Sequence, residues 1–172
     1  MRLPRNFFSR DVLEAAPDLL GKILVRRFDN GELLRLTINE VEAYRGEEDL
    51  GCHASKGRTK RTDAMYQRGG LLYVYLIYGM YWLLNFTTGQ EGAPQAVLIR
   101  GSLEIKGPGR IGRALRLDKS FYREDSITSE RLWIEKNENL SEKPEIITSP
   151  RIGIDYAGEH WAGKHWRFVT QL

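Results

Sequence analysis

Hydrophobic and polar residues alternate with a period of two over much of this chain, and the breaks in that alternation mark its turns. The most apolar and aromatic run is Leu72 to Thr88, LYVYLIYGMYWLLNFTT, with Gly79 near its middle. Aromatic and apolar residues on both sides of a glycine predict a β-hairpin. A two-residue turn at Tyr78-Gly79 would pair odd positions with even ones. A three-residue loop Ile77-Tyr78-Gly79, with Gly79 left-handed in a bulge, pairs odd with odd. Only the second register gives clean faces. Leu72, Val74, Leu76, Trp82, Leu84 and Phe86 then form one wholly apolar face for the core. Tyr73, Tyr75, Tyr81, Leu83, Asn85 and Thr87 form the other, with polar tips, and Tyr78 is left at the loop.

Earlier in the chain, Ser9 is a candidate N-cap for a helix through Ala16, with Pro17 interrupting it and Gly21 ending it. Lys22 to Phe28 predicts a strand, Asp29-Asn30-Gly31 a hairpin turn, and Leu33 to about Tyr44 the returning strand. Leu34, Leu36 and Ile38 share a face, and period two continues it through Glu40 and Glu42. At least one carboxylate is thus carried toward the side where the leucines go. There it must be paired, hydrogen-bonded or held for use. A salt bridge at the strand end, or a bulge that turns Glu42 out, would account for it equally. After the hairpin, Ala96 to Ile99 predicts a buried strand ending in Arg100, which either snorkels to water or pairs with a buried anion. Gly107-Pro108-Gly109 opens a helix in which Ile111, Ala114 and Leu115 make an apolar stripe and Arg110, Arg113 and Arg116 a basic one. Short strands near Leu132–Glu135, Glu145–Ile147 and Trp166–Val169 complete the sheet, with a polar loop from Asn137 to Pro144. The pattern predicts a single α+β domain over residues 1–172, built on a curved, mostly antiparallel β-sheet with peripheral helices and a protruding hairpin.

Composition narrows the class. Hydrophobic residues at 41% and charged residues at 28% argue against wholesale disorder. A net charge of +3 is compatible with a polyanionic partner without establishing one, so clustering decides. An acidic patch, Glu47-Glu48-Asp49, is followed by Lys56, Arg58, Lys60, Arg61 and Arg68 against Asp63 alone. That basic loop is either a solvated surface or a segment laid along phosphates, and the arginine helix has the same two readings. Tyr78 either folds back on a neighbouring loop or serves as a wedge that parts a base stack. His53, between the two patches, is structural or catalytic.

Cys52 is the sole cysteine, so no intrachain disulfide is possible and a reducing compartment fits. The start, MRLPRNFFSRD, lacks the apolar segment of a signal peptide. No run reaches the ~18 apolar residues of a membrane helix. The expected address is the cytoplasm or nucleoid, with no membrane partner. Three histidines and one cysteine make no metal-ligand cluster at a usual spacing. No phosphate-binding loop, dinucleotide fingerprint or nucleophile elbow occurs. The expected chemistry is acid–base work without metal or cofactor.

Side by side, the segments resemble the alkyladenine (methylpurine) DNA glycosylases, which remove alkylated purines. The resemblance rests on Glu40-Val41-Glu42-Ala43-Tyr44, His53, Gly57 to Thr62 with Met65, the hairpin, Val97 to Arg100, Gly107 to Arg110, Arg151-Ile152-Gly153-Ile154 and Trp166-Arg167-Phe168. It covers nearly the whole chain. It implies that Glu42 activates a water and Arg100 helps position it. Tyr44, His53 and Tyr75 would line a pocket for a flipped base, with Asn85 opposing the amino group of normal guanine. Tyr78 would fill the gap left in the duplex. Backbone contacts would come from Arg58, Thr59, Lys60 and Arg61 in the loop, Met80 in the hairpin, and Arg110 and Arg113 in the helix. The implied protein is a monofunctional, monomeric glycosylase acting on double-stranded DNA that contains alkylated purines of the 3-methyladenine and 7-methylguanine class. The chain departs from the family between Arg100 and Gly107, where it has only six residues and relatives carry a longer segment. A non-catalytic nucleic-acid-binding module would use the same loop, helix and hairpin but would have no use for a carboxylate among them. A second alternative is a degenerate relative, folded but inactive because of the shortened segment.

Overall fold

Two short helices open the chain, α1 (Arg5–Phe8) and α2 (Val12–Asp18), in a computed structural model that describes residues 1–172. Asp11, rather than Ser9, caps α2, because its carboxylate accepts the Leu13 N–H at 2.9 Å. Pro17 is tolerated within the last turn of the helix. Strands β1 (Ile23–Arg27) and β2 (Leu33–Arg45) pair antiparallel around Gly31, whose φ of +85° suits the glycine of the predicted turn. Next come β3 (Leu72–Ile77), β4 (Tyr81–Thr87), β5 (Gln95–Ser102), helix α3 (Pro108–Ala114) and β6 (Leu132–Glu135). Strand β7 (Ile147–Ser149), helix α4 (Glu159–Ala162) and β8 (Arg167–Val169) end the chain. β7 starts two residues later than the sequence pattern suggests. The eight strands form one curled sheet in the order β3-β4-β5-β2-β1-β6, with β8 beside β2 and β7 outside β8. Every pairing is antiparallel.

Long strand β2 is the hub, pairing with β1 along its first half and with β8 along its second, while β5 takes the opposite edge. Its register against β5 slips on both sides of Glu40. This bulge changes which residues face the core. Before it Leu36 and Ile38 are buried in the main cluster, and after it Val41 and Ala43 take their place. Period two does not run unbroken, so Glu42 lies on the opposite side of the sheet from the leucines, not on their side. Both alternatives are realised in part: the bulge re-aims Glu42, as one extra residue can, but into a buried position within 3.5 Å of Arg100 and not out to solvent.

The hairpin keeps the predicted parity, with Leu72 opposite Phe86 and Val74 opposite Leu84. The loop lies one residue further on, at Tyr78-Gly79-Met80, because Ile77 pairs with Tyr81 and its carbonyl accepts the Met80 N–H at 3.0 Å. Tyr78 and Gly79 both take positive φ, 50° and 63°. Leu72, Val74, Leu84 and Phe86 enter the main core together with Ile111 and Leu115 of the α3 stripe. Leu76, near the tip, is exposed. A second, smaller cluster joins Cys52, Met65, Tyr66 and Tyr73 on the other side of the hairpin. Helix α3 lies against β4 through two glycines: a Cβ on Gly109 would meet the Tyr81 ring at 2.9 Å, and one on Gly112 would meet the Trp82 carbonyl oxygen at 1.8 Å.

Candidate active site

Between the polar face of the hairpin, the bulged half of β2 and the segment after Arg151 lies a cavity of about 530 Å³. That is within the ~300–1,000 Å³ of small-molecule sites. Tyr44, His53, Tyr73, Tyr75, Asn85 and Arg100 all line it, and Tyr78 stands at its edge. Glu42 sits directly behind this wall with no exposed surface, although three of its neighbours line the cavity. The Tyr44 hydroxyl donates to Oε2 at 2.7 Å, the Ile152 backbone N–H donates to Oε1 at 2.7 Å, and Arg100 Nη1 lies 3.5 Å from Oε1. Each neighbour offers hydrogen or positive charge to the carboxylate, which still has lone pairs free. The carboxylate itself has no exposed surface and meets the cavity only through Tyr44, Arg100 and Ile152. Arg100 is fixed in turn by Glu40, which accepts its Nε at 3.1 Å and the Arg167 Nε at 2.7 Å.

The opposite wall is aromatic. The His53 and Tyr75 rings meet edge to face, with centroids 4.6 Å apart. His53 Nδ1 is 2.7 Å from the Tyr73 hydroxyl. Burial, with Arg61 and Lys56 nearby, pulls the imidazole down to about 4, so the ring is neutral at neutral pH. Burial, then the nearby Glu42 charge, pushes the Tyr75 phenol up to about 12. The same two causes, in the same order, hold Tyr44 well above the ordinary phenol range. Both remain protonated and able to donate. Buried Asn85 is held by its Nδ2 donating to the Tyr73 carbonyl at 3.1 Å.

Tyr78 does not fold back: its side chain is 87% exposed, on a backbone with the positive φ that non-glycine residues avoid. Met80 beside it is also exposed. In the basic loop, Arg58 is engaged by Asp63 at 2.8 Å and Arg68 by Asp125 at 3.1 Å, whereas Lys56, Lys60 and Arg61 form no ion pair. The Arg61 guanidinium rests 5.2 Å over the Tyr75 ring. Thr59 is exposed, and its hydroxyl lies 3.2 Å from that of Thr62. Arg110 and Arg113 are exposed on α3, and Arg113 lies 5.3 Å over the Tyr81 ring.

Three participants leave no mark in the residue pattern. One is the Ile152 N–H on Glu42, since a backbone donor has no residue-type signature. Another is Tyr156, whose exposed ring lines the cavity. The third is Asp49. It is not part of an acidic surface patch, because it is fully buried and paired with Arg151 at 2.6 Å. Its neighbour Glu47 accepts the Tyr66 hydroxyl at 2.6 Å.

Comparison with known proteins places the chain in a family. The family model described as "Methylpurine-DNA glycosylase (MPG)" matches residues 6–106 and 102–172. The two stretches meet at the short connection from β5 to α3, a tight turn in which the Ser102 N–H donates to the Ile105 carbonyl at 2.8 Å. A protein of Legionella pneumophila (strain Corby) is 44% identical over 99% of this chain and 94% of its own length. One of Methanocella arvoryzae is 42% identical over 98% and 92%. One of Natranaerobius thermophilus is 38% identical over 99% and 96%, in an alignment of 193 positions. Each is named "Putative 3-methyladenine DNA glycosylase". With matches that run from end to end and an aromatic cavity backed by a buried carboxylate, the chain belongs to the methylpurine-DNA glycosylase family.

Proposed function

We propose that the protein acts as a monomer on double-stranded DNA and excises alkylated purines as a monofunctional glycosylase. A glycosidic bond inside a duplex is shielded, so the damaged nucleotide must first leave the stack. Tyr78, exposed at the hairpin tip, suits the role of filling the gap. The extruded base then enters the cavity among Tyr44, His53 and Tyr75. Alkylation at N3 or N7 makes a purine cationic, so stacking on tyrosine gains ~0.5–2 kcal/mol of cation–π attraction. A neutral His53 does not oppose that charge. Asn85 guards against normal guanine. The cationic base leaves as a neutral purine with the electrons of the glycosidic bond. Water, positioned by Arg100, adds to the anomeric carbon and gives its proton to Glu42. The same carboxylate stabilises the positive charge that develops on the sugar.

Glu42 carries this reading. A fully buried carboxylate, held by two hydrogen-bond donors and a guanidinium at the back of an aromatic cavity, is costly to build and of no use to a protein that merely holds DNA. Glu42→Gln is expected to bind methylated duplex as well as the wild type does and to slow release of free methylpurine by about 10²–10⁴-fold. Release at the wild-type rate would remove Glu42 from the mechanism.

A further inference from the structure

The ion pair between Asp49 and Arg151 is the only one in the protein with both side chains fully buried. We propose that this pair is a positioning latch for the reaction, setting the Ile152 N–H and the Tyr44 hydroxyl onto the Glu42 carboxylate. The inference rests on the glycosylase reading above and adds residues to it that touch neither substrate nor DNA.

The contacts converge on four segments. Arg151 Nη1 donates to Asp49 Oδ2 at 2.6 Å and to the Ala43 carbonyl at 3.0 Å, between Glu42 and Tyr44 on β2. Its Nη2 donates to Asp49 Oδ1 at 2.8 Å and to the Trp161 carbonyl at 3.3 Å, in α4. The guanidinium also lies over two rings, that of Tyr44 at 4.8 Å and that of Trp166 at 5.0 Å. Asp49 closes the turn that leads to His53, accepting the Arg45 and Gly51 N–H groups at 3.0 Å each. The next residue after Arg151 is Ile152, whose N–H sits on Glu42. The latch therefore fixes the strand that carries Glu42, the ring whose hydroxyl caps one carboxylate oxygen and the backbone that caps the other.

Stability alone gives a poor reason for the arrangement. Burying two charges costs more desolvation than their attraction reliably returns, and apolar replacements of such pairs are often neutral or stabilising. Arg151 Nε is moreover buried without an acceptor, a further cost. What the pair supplies is direction: a bidentate fork admits one orientation, and a lysine cannot reproduce it.

The test measures three quantities for the wild type, Arg151→Lys, Asp49→Asn, Tyr44→Phe and the Arg151→Lys/Tyr44→Phe double variant. They are single-turnover release of methylpurine from methylated duplex, affinity for a duplex carrying a stable abasic-site analogue, and melting temperature. Arg151→Lys is expected to slow release by about 10²-fold, the usual consequence of an ångström-scale misplacement, while affinity for the analogue is retained. Asp49→Asn should act in the same direction. Tyr44→Phe and Arg151→Lys should combine to less than the sum of their effects on the logarithm of the rate, because both work through Glu42. Unchanged release, a rate loss matched by an equal loss of affinity, or full additivity would each overturn the latch. If Arg151→Lys does not fold, Asp49→Asn decides by its rate and affinity. Release by the wild type with unaffected variants removes the latch alone, whereas no release by the wild type removes the glycosylase reading and the latch together.

Discussion

His53 is a group whose charge the fold suppresses. An imidazole titrates near 6.5 in an unfolded chain and at about 4 here, chiefly through burial, with Arg61 and Lys56 adding to it. Between those values the unfolded chain binds a proton that the folded protein refuses. Stability attributable to His53 is therefore fully present above about pH 6.5 and is lost progressively as pH falls toward 4. His53→Gln should flatten the dependence of the urea midpoint on pH across that window. An unaltered profile would show that other groups set it. His53, Tyr44 and Tyr75 could be picked out in the sequence only through the family resemblance, since a lone imidazole or phenol does not by itself announce a pocket. The Ile152 N–H could not, since every residue but proline has one. Asp49 was hidden by its neighbours: flanked by Glu47 and Glu48, it has the look of a solvated charge although it is fully buried.

Among the elements, α3 and β4 approach so closely that glycine decides the contact. Helix propensity alone says that Gly112→Ala should stabilise α3, by roughly 0.5–1 kcal/mol. The packing says the reverse, since the added carbon would sit 1.8 Å from the Trp82 carbonyl oxygen, a backbone atom that cannot swing aside. Overpacking of this kind costs about 1–3 kcal/mol. Gly112→Ala should thus lower the denaturation midpoint, and a rise would mean that α3 can lift off β4 without penalty. The hairpin's faces were legible because alternation over a dozen residues admits only one parity. The position of its loop was not, because moving it by one residue preserves parity and leaves both faces unchanged. The β2 bulge could be named only as an alternative, prompted by a carboxylate in phase with leucines, since an extra residue in a strand is an ordinary residue with nothing in its type to announce it.

Over the whole molecule, a net charge of +3 says little, and the distribution says more. Arg58 and Arg68 are engaged by Asp63 and Asp125, while Arg110 and Arg113 are exposed on α3 with no carboxylate paired to them. Replacing Arg110 or Arg113 by Ala should reduce the slope of log affinity for duplex DNA against log salt by about 1 each. Arg58→Ala should lower it by less, since its phosphate contact would have to displace an ion pair already made. Salt titrations that rank these variants the other way would relocate the footprint to the loop. The sheet that carries this surface also imposes a rule on its own sequence. Because one irregularity around Glu40 sends Ile38 and Val41 to the main core and Glu42 to the cavity side, losing or gaining a single residue there would exchange the two sets. Valine and alanine would then face the cavity and glutamate would be driven among leucines. Length changes in this part of β2 are therefore expected to be tolerated only in pairs, since adding or removing two residues restores each side chain to its own face.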